Sequence, residues 1–326
     1  MEYAHLGRSG LKVSRLCLGT FNFGTFTDEA EAFRIMDAAV EAGVNFFDTA
    51  NHYPDFVNCG RTEEFIGRWF AQGGGRRERV VLATKVYQPM CDAKDGPNDA
   101  PGLSKFKIAR HLEGSLRRLQ TDRVELYQMH HVDRRASWDE LWEAFAVAIH
   151  QGKICYVGAS NFAGWHLAVA QGEAKARRMF GLASEQHRYN LLCRLPELEV
   201  LPAAMALGIG VLPYSPLAGG LLGGGVGNPP AGSRRSQFKD LSGKLREQLT
   251  AFESFCKELG EAEPNVAVAW LLANPGVSSV VIGPRTTEQF KHAIRAVELK
   301  LDEAAKSRLD EIFPGPGGAA PEVYAW

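Results

Sequence analysis

The sequence predicts an α/β fold, a (β/α)8 (TIM) barrel with an N-terminal hairpin and a C-terminal extension. Three observations carry that expectation. Between residues 16 and 300, short runs rich in Val, Ile, Phe and Leu alternate with longer amphipathic segments, the rhythm of βα units. Eight such runs occur, enough to close a barrel. The first of them leads into Leu18-Gly19-Thr20-Phe21-Asn22-Phe23-Gly24, which lacks the G-x-G-x-x-G spacing of an open dinucleotide-binding sheet.

In chain order, residues 1–14 read as a hairpin turning at Gly7-Arg8-Ser9-Gly10. The strand-like runs are Leu16-Cys17-Leu18, Asn45-Phe46-Phe47, Val80-Val81-Leu82-Ala83, Val124-Glu125-Leu126-Tyr127, Ile154-Cys155-Tyr156-Val157, Ala183-Ser184-Glu185-Gln186, Gly210-Val211-Leu212 and Ser279-Val280-Val281-Ile282. Helical spacing appears between them, as in Phe33, Met36, Ala39 and Val40, in Leu112, Leu116 and Leu119, or in Leu141, Phe145 and Ile149. Ala42-Gly43 and Gln151-Gly152 stand where a left-handed helix terminus is needed. Residues 218–243 form a Gly/Pro/Ser loop long enough for a functional lid, and its glycine-rich part reads as mobile rather than as a phosphate-cradling turn. Residues 302–326 hold one more helix, through Ala305, Leu309 and Ile312, and a tail ending in Trp326. The 326 residues are therefore expected to form a single barrel domain rather than the two domains that length alone favours.

Composition narrows function by exclusion. With 37 basic and 38 acidic residues the formal net charge is −1, which gives a nucleic-acid or membrane-surface role no support. The cluster Arg76, Arg77 and Arg79 reads as a solvated loop without a function. The six cysteines show no framework spacing and suit reduced thiols in a cytosol. No two histidines stand three or four positions apart, so a helical metal pair is missing and no metal site is expected. The N-terminus lacks a cationic segment followed by an apolar core, and apolar stretches such as Val266 to Ala273 are too short to span a bilayer. A soluble, cytoplasmic protein is expected.

Catalytic groups of such a barrel come from the C-terminal ends of several strands, because the loops there surround one mouth. The second strand ends in Asp48, with Tyr53 in the loop beyond it; the third ends near Lys85 and the fourth near His130. Singly these are an N-cap, a loop aromatic, a strand terminator and a near-core histidine. Together they form an acid–base set on adjacent strands. A tyrosine is a poor acid at neutral pH, and a neighbouring ammonium such as Lys85 is expected to lower its pKa. Asp48 would pair with Lys85, while His130 would orient a substrate carbonyl.

At these positions the chain resembles the aldo-keto reductase superfamily, in particular bacterial NADPH-dependent members with a long loop after strand seven. The stretches that carry the resemblance are Phe47-Asp48-Thr49-Ala50-Asn51-His52-Tyr53, Ala83-Thr84-Lys85, Leu126-Tyr127-Gln128-Met129-His130, Gly158-Ala159-Ser160-Asn161-Phe162, Tyr214-Ser215-Pro216-Leu217 and Val281-Ile282-Gly283-Pro284-Arg285-Thr286. The resemblance implies reduction of an aldehyde or ketone by hydride from the nicotinamide, with Tyr53 as general acid, Lys85 and Asp48 tuning it and His130 positioning the carbonyl. It implies a cofactor site of Gly19, Thr20, Ser160, Asn161, Gln186, Tyr214, Ser215, Leu217, Gly219, Arg234, Gly283, Arg285 and Gln289. Ser160, Asn161 and Gln186 would hold the carboxamide and Tyr214 would stack on the ring. Ser215, Leu217 and Gly219 would line the pyrophosphate, and Arg234, in the 218–243 loop, would clamp the adenosine. Arg285 and Gln289 lie at a helix start, where the dipole and a guanidinium favour phosphate. Two arginines there favour NADPH over NADH. Where many relatives carry a Glu-Asn pair for the adenine amine, this chain has His292 and Ala293.

The pocket expectation is Phe21, Phe23, Tyr87, His131 and Phe162, mostly aromatic, which favours an apolar or ring-bearing small-molecule carbonyl substrate. Two alternatives stay open: a reductase of a nucleotide-linked keto- or enoyl-deoxysugar, and a cofactor-sensing subunit like the β subunits of potassium channels. The oligomeric state is also open.

Overall fold

The computed structural model describes residues 1–91, 94, 96–226, 241, 243–321 and 323. Its centre is one eight-stranded parallel sheet of β3 (Leu16–Gly19), β4 (Phe46–Asp48), β5 (Val81–Val86), β6 (Val124–Met129), β7 (Ile154–Ser160), β8 (Leu182–Arg188), β9 (Gly210–Tyr214) and β10 (Val280–Ile282). Each of the eight runs read from the sequence supplies one strand. Spatial order follows chain order, with β10 beside β3. Val211 closes the ring, donating to the Gly276 carbonyl at 3.1 Å and accepting from the Ser278 N–H at 2.9 Å. The result is a (β/α)8 barrel.

The hairpin is also present, as β1 (Tyr3–His5) paired antiparallel with β2 (Lys12–Ser14). Its Leu6 and Val13 are buried with Cys17, Phe46, Ala83, Leu126, Ala183, Leu212 and Val281, the apolar filling of the barrel interior. A strand side chain recurs on the same face every second residue. Two positions beyond Phe46, Ala83 and Leu126, the inward layer is therefore Asp48, Lys85 and Gln128, polar and nearer the C-terminal mouth.

The surrounding helices are α1 (Glu29–Glu41), α2 (Arg61–Ala71), α3 (Lys105–Leu119), α4 (Trp138–His150), α5 (Gly164–Ala176), α6 (Val200–Leu207), α7 (Gly243–Leu259), α8 (Glu263–Leu272), α9 (Thr287–Ala293), α10 (Arg295–Glu298) and α11 (Glu303–Ile312). They start where a short polar side chain can satisfy free N–H groups: Asp28, Ser104 and Ser137 accept from Glu31, Lys107 and Glu140 at 2.8, 3.1 and 3.2 Å. α1 and α4 are followed by Gly43 (φ +84°) and Gly152 (φ +70°), as the sequence predicts. α11 is the expected C-terminal helix, with Ala305, Leu309 and Ile312 buried. Among the described residues no helix is long and apolar enough to cross a membrane.

Two expectations are corrected. Arg77 is not a solvated loop residue: it pairs with Glu125 at 2.9 Å, both largely buried, and donates to the Val80 and Arg123 carbonyls at 2.9 and 2.8 Å, anchoring the approach to β5. Nor are all six cysteines reduced, because Cys59 and Cys91 form a disulfide. Their 32-residue separation carries no motif, and only the meeting of two βα loops brings the Cα atoms within 5.5 Å.

Candidate active site

The four residues at the strand ends converge. Lys85 is fully buried and its ammonium uses all three protons: it donates to Asp48 Oδ2 at 2.6 Å, to the Thr49 carbonyl at 2.9 Å and to the Tyr53 hydroxyl at 3.4 Å. Asp48 is buried as well. Its second oxygen, Oδ1, accepts from the side-chain amides of Gln186 at 2.8 Å and Gln128 at 3.0 Å. Every charge in this layer is thus matched, which a dry interior requires. Thr20 fixes the Asp48 backbone from the neighbouring strand, its N–H and hydroxyl both donating to the Asp48 carbonyl at 3.0 and 2.9 Å.

Tyr53 lies in the loop after β4. Its carbonyl accepts from Gly60 and Thr62 at the start of α2, and its ring meets Phe21 edge-on at 5.1 Å and His130 at 5.8 Å. The expected sign of its pKa shift is corrected. Burial pushes the phenol up, Lys85 pulls it down and Asp48 pushes it up again, so the net shift is upward. In Lys85, burial opposes the charge, but Asp48 and Tyr53 outweigh it and the ammonium is held above its ordinary value. His130 is driven well below the usual imidazole range, first by burial and then by Lys85 and its histidine neighbours. It is therefore a neutral imidazole, able to donate one N–H. Among the described residues its Nδ1 is buried with no protein partner.

The cofactor expectations divide. Asn161, in a left-handed conformation (φ +62°), donates to the His130 carbonyl at 3.1 Å and Ser160 Oγ at 2.9 Å, and accepts from the Tyr214 hydroxyl at 2.9 Å. This fixes the half-buried Tyr214 ring at the mouth beside the tetrad. Ser215 also has positive φ (+53°), and its carbonyl is held by Asn190 at 2.9 Å. Leu217 and Gly219 continue that turn, with the Leu217 carbonyl accepting from Gly220 and Leu222. Gly19 is required sterically, because a Cβ there would lie 2.7 Å from Val281. Gly283 is tied by its carbonyl to Asn22 at 2.7 Å. Further round the rim, Arg285 lies over the Phe26 ring at 4.2 Å, and Gln289 accepts from the Arg285 N–H at 2.9 Å. His292 is exposed, 3.7 Å from Glu288. Arg234 lies outside the described residues.

Three of the five expected pocket residues lie at or beside the mouth. Phe21 is exposed at the mouth, and Tyr87 meets His131 at 5.2 Å, His131 stacking on His130 at 5.5 Å. Phe23 and Phe162 are corrected: both are buried in the hydrophobic core outside the barrel, Phe162 against Trp138 and His166, and present no surface to a ligand. Sequence reasoning gave no role to Gln128, Asn190 or His52. Gln128 stands on β6 two residues beyond the inward-facing Leu126, so alternation alone could have placed it inward. His52 precedes Tyr53 and packs against Tyr53, Phe56 and His130 with centroids 5.0–5.3 Å apart.

The comparisons agree with this geometry. The sequence profile of the aldo/keto reductase family matches residues 15–313. The uncharacterized oxidoreductase YrpG of Bacillus subtilis (strain 168) is 62% identical over 326 residues, all of both chains. A protein of Oryza sativa subsp. japonica, named as a voltage-gated potassium channel subunit beta, is 35% identical over 310 residues, 92% of each chain. A Schizosaccharomyces pombe protein, named as an aryl-alcohol dehydrogenase, is 30% identical over 342 residues, 95% of each. With the profile spanning nearly the whole chain and the barrel in place, this chain belongs to the aldo/keto reductase family.

Proposed function

We propose that this chain reduces a simple aldehyde or ketone to the alcohol with NADPH, Tyr53 giving the proton. The observation that carries the reading is the Lys85 ammonium, held 2.6 Å from Asp48 and 3.4 Å from the Tyr53 hydroxyl beneath a neutral His130. A bound nicotinamide supplies the hydride to the carbonyl carbon. The tethered Tyr214 ring, with Ser160 and Asn161 beside it, fits such a planar group, and Arg285 and Gln289 at the far rim fit its phosphate-bearing end.

As charge develops on the carbonyl oxygen, the His130 N–H and the Tyr53 hydroxyl donate to it, and the proton moves from Tyr53 to the forming alkoxide. Lys85, 3.4 Å away, stabilises the phenolate left behind; its own charge is retained by Asp48. The raised ground-state pKa of Tyr53 keeps the hydroxyl protonated until the alkoxide forms, so the ammonium acts on the product side of the transfer. Phe21, Tyr87 and His131 favour an apolar or aromatic carbonyl compound. The test is NADPH oxidation across a panel of aldehydes, ketones, quinones and nucleotide sugars. Steady turnover on an aromatic aldehyde is expected, and turnover confined to nucleotide sugars would replace the substrate class.

The likeness to proteins named as potassium channel β subunits favours a second reading, a cofactor sensor. A single turnover of bound NADPH without sustained catalysis would support it, and steady turnover would sink it.

A further inference from the structure

The Cys59–Cys91 disulfide has no task in that mechanism, yet it lies among the loops that form the mouth. Cys59 stands in the loop after β4, six positions past Tyr53, and Cys91 in the loop after β5, six positions past Lys85. Cys91 is exposed and Cys59 half-buried, with the Cys59 N–H directed at Cys91 Sγ at 3.1 Å. The other four cysteines are free. A chain with a core of this size has no need of a covalent staple to fold, so a solitary, solvent-facing bond between two loops acts locally.

The two loops are neighbours at the mouth, following the adjacent strands β4 and β5. The first carries Phe56, stacked on His52 at 5.3 Å, and Asp55, whose carboxylate accepts from the N–H groups of Val57 and Asn58 at 2.8 and 2.7 Å. Gly60, next to Cys59, donates to the Tyr53 carbonyl at 3.1 Å. The second begins at Tyr87, against His131, and its Met90 N–H is held by Asp99 at 2.9 Å. Asp48 and Lys85, by contrast, are held within strands and do not depend on the bond.

We propose that Cys59 and Cys91 are a reversible redox modification site whose oxidised form fixes the substrate walls, with low-molecular-weight disulfides as oxidant and thiols as reductant. In the oxidising direction the exposed Cys91 thiolate attacks one sulfur of the small disulfide, forming a mixed disulfide and releasing one thiolate. The Cys59 thiolate then attacks Cys91 Sγ, forms the internal bond and releases the second. Both protein protons end on the two released thiols, and the two electrons reduce the small disulfide; excess thiol reverses the sequence. With the bond formed, Pro89 O lies 3.9 Å from Cys59 Sγ and Asp55 O 4.0 Å from Cys91 Sγ, carbonyls within reach of each thiol once the bond is reduced. The consequence for substrate binding rests on the carbonyl-reductase reading above.

The test compares the full-length protein treated with oxidised glutathione and with dithiothreitol. Maleimide labelling after denaturation should count four thiols in the oxidised form and six in the reduced form. Amide hydrogen exchange of residues 55–59 should accelerate on reduction. KM for a carbonyl substrate should rise several-fold with kcat nearly constant, because the walls loosen and the tetrad does not. The double variant Cys59→Ser/Cys91→Ser should keep four thiols under both treatments and show the exchange and KM of the reduced form, without response to glutathione. Six thiols after glutathione treatment would overturn the proposal, as would equal exchange in the two forms or, where turnover is seen, equal KM. Absence of turnover in both forms counts against the reductase reading alone, since thiol count and exchange need no substrate.

Discussion

Gln186 donates its side-chain amide to Asp48 Oδ1 at 2.8 Å, joining residues 138 positions apart across the barrel interior. Gln128 donates to the same oxygen at 3.0 Å, while the other oxygen is given wholly to Lys85. The carboxylate is therefore held at both oxygens, and through it the ammonium beneath Tyr53 has one available position. Three strands besides β4 contribute to that arrangement.

Gln128→Leu removes one of these donors at little change in volume. Stability should fall by about 1–3 kcal/mol, the cost of leaving a buried charge short of a hydrogen bond, read from urea denaturation. kcat should fall roughly tenfold as Asp48 and Lys85 relax, with NADPH affinity nearly unchanged. Gln186→Leu should show the same losses together with weaker NADPH binding. An unaltered kcat in both variants would detach the glutamines from the tetrad.

Tyr53→Phe should lower carbonyl reduction by at least about 10²-fold and leave NADPH binding intact by fluorescence titration. Reduction uses the protonated phenol, and burial raises its pKa. The wild-type rate should accordingly stay flat through neutral and mildly alkaline pH and decline only above the ordinary tyrosine range. A rate already falling near pH 8 would mean that Lys85 outweighs burial after all.

His52 sets an acid limb for stability. Burial, then Lys85 and His131, depress its pKa from 6.5 to about 4. Between those values the unfolded chain takes up a proton that the folded chain refuses, so stability present above pH 6.5 is lost as pH falls toward 4. The loss is on the order of 3 kcal/mol. His52→Leu should make this limb shallower in urea denaturation between pH 7 and pH 4, leaving the part due to His130 and His131; an identical limb in the variant would assign it elsewhere.

Arg285→Ala combined with Arg234→Ala should weaken NADPH far more than NADH, because a guanidinium is suited to a phosphate that only the former carries. Equal losses in the two dissociation constants would remove these arginines from cofactor choice.

Strand rhythm, helix ends and the closing of eight units into a barrel were legible because each rests on local periodicity and local glycine termini, repeated along the chain. The tetrad was legible for a related reason: strand ends of a barrel share one mouth, so residues far apart in sequence could be placed together by topology alone. Phe23 and Phe162 misled because an aromatic near a strand end points either to the mouth or into the layer beneath the helices. Composition does not distinguish those directions.

What the sequence by itself determined, then, was the family, the barrel and which four residues meet. Tertiary structure decided how they are held and with what sign. The partners of Asp48 come from β5, β6 and β8, whose inward faces meet only once the barrel is closed. The Tyr53 shift is a contest between burial and an ammonium 3.4 Å away, and that balance depends on distance and dryness rather than on residue type. The disulfide likewise needed two loops to bring Cα atoms within 5.5 Å, a proximity that no spacing in the chain encodes.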